Sequence, residues 1–434
     1  MKKALKTIIA KILQWEAKML LNKYHPKIIG VTGSVGKTST KDAIYRVLSA
    51  GGFSVRKSEK SYNGDIGIPL TILGCQSAWN DPFGWLEIMI YGLRQLFGTR
   101  AYPKWLVLEV GLEYPGEIKD ILKWVKFDVA VTTLLPEVPV HMEFFKSKDE
   151  VINEKMMLPK SVPLDGFVLL NADDSNALKF VLDIKAEIFT YGQNDSADYR
   201  SSLGETFYEI KNGQELPAGL SFKLYHNEKE LEVKIPGVIG SHQIYPVLAA
   251  LSVGDKLGLN MVEMVDSLSS YLPPPGRLRL IEGIKGTVIL DDTYNASPAA
   301  MSAGLIALES FNNEGRKIAV MGDMLQLGGM TVEAHKKIGR EAAEICDLVV
   351  TVGLRSKFID EAMIEKKFSE KKIKHFDDSV EAGQFLQSKI KAGDVIFVKG
   401  SQSVRMEKVV EEIMFHPELK EKLLVRQDSE WKKR

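Results

Sequence analysis

Gly30-Val31-Thr32-Gly33-Ser34-Val35-Gly36-Lys37-Thr38-Ser39-Thr40 is the stretch on which the reading of this chain turns. Before it, Lys27 to Val31 is a short apolar run that predicts a strand. After it, Lys37 to Ala50 places Ala43, Ile44, Val47 and Leu48 on one helical face and stops at Gly51-Gly52. Strand, glycine loop and helix in this order is the context of a phosphate-binding loop. Backbone N–H groups and the helix N-terminus surround a polyphosphate, Lys37 meets its outer phosphates, and the Thr38 hydroxyl holds Mg2+. The glycines fall as G-x-x-G-x-x-G-K-T rather than G-x-x-x-x-G-K, whose first glycine would stand where this chain has Val31. Gly33, Ser34, Val35, Gly36, Lys37, Thr38 and Ser39 are thus the expected nucleotide contacts. The competing reading is a glycine-rich turn in a dehydrogenase-like unit.

The 434 residues exceed one ordinary core and point to two or three domains. A content of 45% hydrophobic and 26% charged residues is that of a soluble globular protein, and zero formal net charge gives no global signal for nucleic acid. Cys75 and Cys346 lie far apart with no C-x-x-C spacing, as expected of reduced thiols in a reducing cytoplasm. No apolar run reaches the roughly 18 residues of a membrane span. Lys6 and Lys11 interrupt the N-terminal apolar segment and no small-residue cleavage site follows, so it is not read as a secretory signal.

Residues 1–26 form a basic amphipathic helix candidate. Leu5, Ile8, Ile9, Ile12, Met19 and Leu20 share a face, and Lys2, Lys3, Lys6, Lys11, Lys18 and Lys23 recur outside it. Such a helix fits an anionic membrane surface at the inner face of the membrane, or packs on the nucleotide domain with its lysines solvated; the pattern favours packing. The apolar, aromatic stretch within Trp79 to Lys104 is too short to span a bilayer. It fits a second interfacial element or a buried helix, and burial is expected, because an exposed apolar patch is a liability without a partner.

Further on, Asn63-Gly64-Asp65 is a turn that brings side-chain oxygens near strand ends. Trp105 to Val110 is a buried-strand pattern whose Glu109 suits Mg2+ beside a phosphate loop. Val129 to Leu134 and Gly166 to Asn171 read as strands, and Ser147-Lys148-Asp149-Glu150 as a capping box opening a helix that carries Lys155. His141 lies in a loop. Residues 205–235 alternate in the antiparallel manner, with Asn212-Gly213 as the hairpin turn. Pro273-Pro274-Pro275-Gly276-Arg277 marks a boundary, dividing a central domain, 27–272, from a C-terminal one, 273–434. In the latter, strands at Thr287 to Leu290, Ile318 to Met321, Leu348 to Val352 and Val395 to Val398 alternate with helices, which implies a second parallel sheet. Its strand ends Asp291-Asp292, Gly322-Asp323 and Lys399-Gly400-Ser401 gather at one edge.

These motifs, in this order and from about Lys27 to about Ile413, resemble the Mur ligase family, ATP-dependent amide-forming enzymes of peptidoglycan synthesis. The phosphate loop, Asn63 to Thr71, Glu109-Val110-Gly111 with Pro115 to Ile118, His141 to Glu143, Asp291 to Pro298, Met321 to Gly328 with His335, and Lys399-Gly400-Ser401 all look like family motifs. The Tyr294-Asn295-Ala296-Ser297-Pro298 form is similar to the branch that adds D-alanyl-D-alanine to a UDP-N-acetylmuramoyl-tripeptide. The resemblance implies a P-loop ATPase domain, a Rossmann-like C-terminal α/β domain, a monomer, and ATP with Mg2+. It assigns catalytic roles to Lys37, Lys155, His141 and Arg277, with Lys155 carried as a carbamate. Thr38, Glu109 and His141 would hold Mg2+, Asp292 and Asn295 would meet the nucleotide, and Asn63, Asp323, Lys399 and Ser401 the substrates.

The family's usual N-terminal UDP-binding domain has no counterpart in the 26 residues before Lys27. The basic helix and the 79–104 segment are the expected replacements, holding a lipid-linked or otherwise altered acceptor. Gly64-Asp65, Gln243, Pro246, Gln326 and Gln402 stand where the family often has other residues, so altered adenine and dipeptide pockets are expected. Three functions remain open: dipeptide addition to a peptidoglycan precursor, amide ligation of a different carboxylate or amine, and an ATP-binding scaffold without ligation.

Overall fold

The computed structural model describes residues 3–99, 101–138, 142–211, 214–311 and 315–432. A first sheet contains β1 (Lys27–Thr32), β2 (Val55–Lys57), β3 (Trp105–Glu109), β4 (Val129–Thr132), β5 (Phe167–Asn171), β6 (Glu187–Gly192), β7 (Tyr199–Ser201), β8 (Glu205–Lys211), β9 (Gln214–His226) and β10 (Lys229–Pro236). Its order is β10-β9-β7-β6-β5-β4-β1-β3-β2, with β8 on β9. β1 through β7 pair in parallel, and residues such as Ile28, Ile29, Val107, Leu108, Ala130 and Val131 are buried on both faces. That two-sided burial is why these strands read as unbroken apolar runs. β8, β9 and β10 extend the sheet as an antiparallel meander. The Asn212-Gly213 turn lies outside the described residues.

A second sheet contains β11 (Arg279–Gly283), β12 (Thr287–Asp292), β13 (Lys317–Gly322), β14 (Leu348–Val352), β15 (Ile373–Phe376) and β16 (Val395–Lys399), ordered β11-β12-β16-β13-β14-β15. It departs from the wholly parallel sheet expected, since β11 runs antiparallel to β12. β11 and β15 are half-exposed edge strands whose polar residues mask their pattern.

The strand order positions the site. β1 lies between β3 and β4, so connections leave it in opposite directions and open a crevice beyond the carboxyl ends of the strands. There the chain passes from β1 into α2 (Lys37–Ala50), and the pairing of Val31 with Glu109 sets that carboxylate beside the loop.

α1 (Lys3–Tyr24) buries Ile9, Leu13, Glu16, Ala17 and Leu20 against α3 (Gly67–Leu73) and α4 (Pro82–Phe97). The packing expected of α1 is therefore present, but Leu5, Ile8, Trp15 and Met19 remain exposed beside it, with Ile12 half-buried. The expected burial of the 79–104 segment fails for most of α4. Trp85, Gly92 and Gln95 are covered, whereas Phe83, Leu86, Ile90, Leu93 and Phe97 face outward, because α1 and the end of α3 cover one side only. Gly92 has a steric reason: a Cβ there would stand 2.3 Å from Glu16 Oε2.

Candidate active site

The phosphate loop depends on two glycines. Gly33 has φ 131°, and a Cβ on it would meet Thr133 Oγ1 at 2.0 Å; Gly36 has φ 88° directly before the first turn of α2. The loop is tied to the segment that follows β4 through Ser34 N–H on Leu134 O at 2.8 Å, with a longer bond from Val35. Lys37 Nζ folds over the loop and donates to Gly33 O at 2.9 Å and Ser34 O at 3.3 Å. Burial lowers its pKa from the usual lysine value, Glu109 opposing and Arg277 adding to the shift.

Around the start of α2 lies a cluster of oxygen donors. Thr38 Oγ1 donates to Glu109 Oε2 at 3.0 Å, and Ser61 Oγ donates to Glu109 Oε1 at 2.6 Å. Asn63 Nδ2 reaches the same oxygen at 3.5 Å. From the second sheet's side, Arg277 Nη2 donates to Thr38 Oγ1 at 3.2 Å while its guanidinium stacks 4.0 Å from the Tyr294 ring centre. One carboxylate with hydroxyls beside a phosphate loop fits Mg2+, a hard cation commonly held by one or two carboxylates plus substrate phosphates. Among the described residues no cluster of three or more His, Cys, Asp or Glu side chains offers a different kind of metal site.

Behind the loop, Lys155 on α6 (Lys148–Lys160) is buried and donates to Ser34 Oγ at 2.8 Å. Burial first, and the Lys37 charge second, hold its pKa well below the usual lysine value. The Ser147 cap seen in the sequence is present, its hydroxyl accepting from Glu150 N–H at 3.2 Å. Glu154, next to Lys155, accepts from Gly116 N–H at 2.8 Å and Ile118 N–H at 3.0 Å, tying the start of α5 (Glu117–Leu122) to α6.

A cleft of about 2180 Å³ gathers Ser34, Gly36, Lys37, Thr38, Asn63, Glu109, Arg277 and Asn295. Several other residues named from the sequence lie elsewhere. Asp292 is not on the cleft wall: its Oδ2 accepts from buried Lys399 at 2.5 Å, and Lys399 also bonds Asn295 O at 2.8 Å. This ion pair supports the Asn295 loop from beneath. Asp323 opens onto a second pocket of about 400 Å³, where its Oδ1 caps the backbone of Arg355 and Ser356. Ser401 is buried and accepts from Leu325 N–H at 2.9 Å. Gln402 lines the cleft, and Gln243 Nε2 holds Arg277 O at 3.0 Å. His141 lies outside the described residues.

Several contributors had no motif to reveal them. Buried Lys41 fastens the 58–61 segment through Ser58 O at 2.8 Å and Lys60 O at 3.2 Å, which positions Ser61. The residues of α1 that face the cleft include Lys11, Gln14 and Lys18. Opposite, Arg426, Asp428 and Trp431 close the rim. Arg426 Nη1 bonds Glu407 Oε2 at 2.8 Å, Asp428 pairs with Lys60 at 2.9 Å, and Trp431 meets Trp79 edge-on at 6.3 Å.

The glycine loop at the head of a parallel sheet, with a carboxylate and hydroxyl beside it and a second α/β unit over the cleft, defines a P-loop nucleotide-dependent enzyme of two α/β units. The chain belongs to the Mur ligase family: the Mur ligase middle domain matches residues 31–254, and the Mur ligase, glutamate ligase domain matches residues 276–402. Mur ligases are ATP-dependent and form C–N bonds, and this chain is such an enzyme. It is similar to the UDP-N-acetylmuramoyl-tripeptide--D-alanyl-D-alanine ligase of Bacillus subtilis, 29% identical over 93% of this chain and 79% of the relative. Among solved structures it is similar to the MurF ligase of Thermotoga maritima in complex with ADP, with TM-score 0.73 and 26% identity over 95% of this chain and 84% of that one. MurF from Acinetobacter baumannii shares the fold at TM-score 0.74 and 24% identity, over 93% of this chain and 79% of that one.

Proposed function

We propose that this ligase joins D-alanyl-D-alanine to the peptide of a peptidoglycan precursor. The observation that carries the reading is the convergence of Lys37, Thr38, Glu109 and Arg277 at one cleft in a chain similar along nine-tenths of its length to ligases named for that reaction. An acceptor carboxylate oxygen attacks the γ-phosphorus of ATP, the bond to ADP breaks, and an acyl phosphate forms. The dipeptide amine attacks the acyl carbon, phosphate leaves with the C–O electron pair, and the nitrogen loses its proton.

The first step sets an anion on a polyanion, which costs about 4 kcal/mol per pair of unit charges 4 Å apart at an effective dielectric near 20. Lys37 and the loop N–H groups offset that cost on the phosphates, and Arg277 adds positive charge from the opposite side. Mg2+, held by Thr38 and Glu109, would supply Lewis-acid stabilisation of the phosphate oxygens. Lys155 is suited to carry a carbamate. Its amine is disposed to be neutral, as attack on CO2 requires, and the Lys37 charge that disfavours its ammonium would attract the carbamate anion. Closure of the second α/β unit over the cleft would exclude water from the acyl phosphate.

The test is phosphate release from ATP with UDP-N-acetylmuramoyl-tripeptide, with and without D-alanyl-D-alanine, and product mass read in parallel. Release that needs both substrates and yields the pentapeptide supports the proposal. Mg-ATP binding without turnover would reassign the acceptor to a lipid-linked or UDP-free carboxylate.

A further inference from the structure

The proposed reaction leaves one face of the molecule without a role. α1 and α4 run side by side in the same direction: Glu16 stands opposite Gly92, and Lys23 Nζ donates to Leu96 O at 2.8 Å and Gly98 O at 2.7 Å. Each helix carries the uncovered apolar stripe described above, and both stripes repeat at alternating steps of three and four residues, one side chain per helical turn. Exposure is largest at Ile8 (54%), Phe83 (79%) and Phe97 (86%). A double apolar stripe on a soluble protein marks an interaction surface.

Charge selects the occupant. Lys11, Lys18, Lys23 and Arg94 are exposed beside the stripes, Lys11 and Lys18 at the edge shared with the cleft, while Lys6 lies on the cleft wall; Asp81 at the cap of α4 and Glu87 within it oppose them, and the acid of α1, Glu16, is buried. The chain as a whole has zero formal net charge, so this is a local excess of cations. A second copy docked here would set lysines against lysines. An anionic bilayer surface satisfies the stripes and the cations together.

We propose that α1 and α4 form a peripheral docking face for an anionic phospholipid bilayer, both helices lying in the interfacial plane. Among the described residues no helix is long and apolar enough to cross a membrane, and the proposal requires none to do so. Because Lys11, Gln14, Trp15 and Lys18 of α1 also line the cleft, the stripe meets the cleft at Trp15 and docking sets the cleft beside the lipid surface. The inference does not rest on the acceptor proposed above, since its readout involves no turnover.

The full chain is sedimented with vesicles of phosphatidylglycerol and phosphatidylcholine, and with phosphatidylcholine alone, at low and high salt. Binding is expected to the anionic vesicles and to weaken with salt. Ile8→Ser with Ile90→Ser should reduce it about tenfold or more, with circular dichroism and Mg-ATP binding unchanged. Phe97→Ser, in the exposed last turn of α4, should move binding in the same direction. Absence of binding to anionic vesicles, or equal binding by the double variant, overturns the proposal. So does a lipid-free dimer, seen by light scattering, that the double variant dissolves, because it assigns the face to a second copy.

Discussion

Lys155 and Glu16 are both buried ionisable groups, and their surroundings give them opposite consequences. Lys155 has a hydroxyl partner and a cationic neighbour. Lys155→Met should lower kcat by about a hundredfold or more while the Kd of Mg-ATP stays within a few-fold, since the phosphate contacts belong to Lys37 and the loop. A 13C signal from labelled CO2 on the wild type, absent in the variant, would establish the carbamate. Glu16 has an Oε2 with no hydrogen-bond partner, and burial pushes its pKa up to about 7. The folded chain therefore keeps a proton that the unfolded chain releases near pH 4.5, and stability falls as pH rises between about 4.5 and 7. Glu16→Gln should stabilise the protein little at pH 4.5 and on the order of 2–3 kcal/mol above pH 8, read as a melting temperature whose advantage over wild type grows with pH.

At the scale of elements, legibility followed burial and sequence distance. β1, β3, β4 and β5 were plain because strands buried on both faces leave apolar runs, while the three-residue β2 and β7 and the half-exposed β11 and β15 leave none. The fate of α4 was not written in α4: its apolar residues look the same whether a neighbour covers them or not, and α1 covers one side only. Within the site, Lys37 and Thr38 were readable from a local pattern, whereas Thr38 meets Glu109 across 71 residues and Arg277 across 239. Asp323 and Ser401 belong to readable motifs, yet spacing could not tell that their polar atoms are engaged by backbone N–H groups. Glu154 is likewise invisible locally. Glu154→Ala, which leaves the buried Ile118 N–H and the half-buried Gly116 N–H at the start of α5 without an acceptor, should cost about 1–3 kcal/mol in denaturant unfolding.

At the scale of the molecule, the segment after Leu424 is fastened by two ion pairs of unequal weight, one within the second α/β unit and one reaching across to the first. Arg426 and Glu407 are almost fully buried, so Arg426→Met leaves the Glu407 carboxylate with Arg405 alone, removes the donors to Thr293 O and Tyr294 O, and should destabilise by about 2–3 kcal/mol. Lys60 and Asp428 are 42% and 31% exposed, so Asp428→Asn should change stability by about 0.5 kcal/mol or less and act instead on KM for the acceptor. Chemical unfolding and initial-rate kinetics separate these outcomes. The pair that closes the rim joins residues 368 positions apart. Closing so long a loop costs chain entropy, which this half-exposed ion pair and the edge-on contact of Trp79 with Trp431 offset only weakly. The cleft rim is therefore expected to open before the two sheets unfold. In mild urea the Trp79 and Trp431 fluorescence should change before the far-ultraviolet dichroism of the sheets, leaving a chain that still holds nucleotide but shields no acyl phosphate.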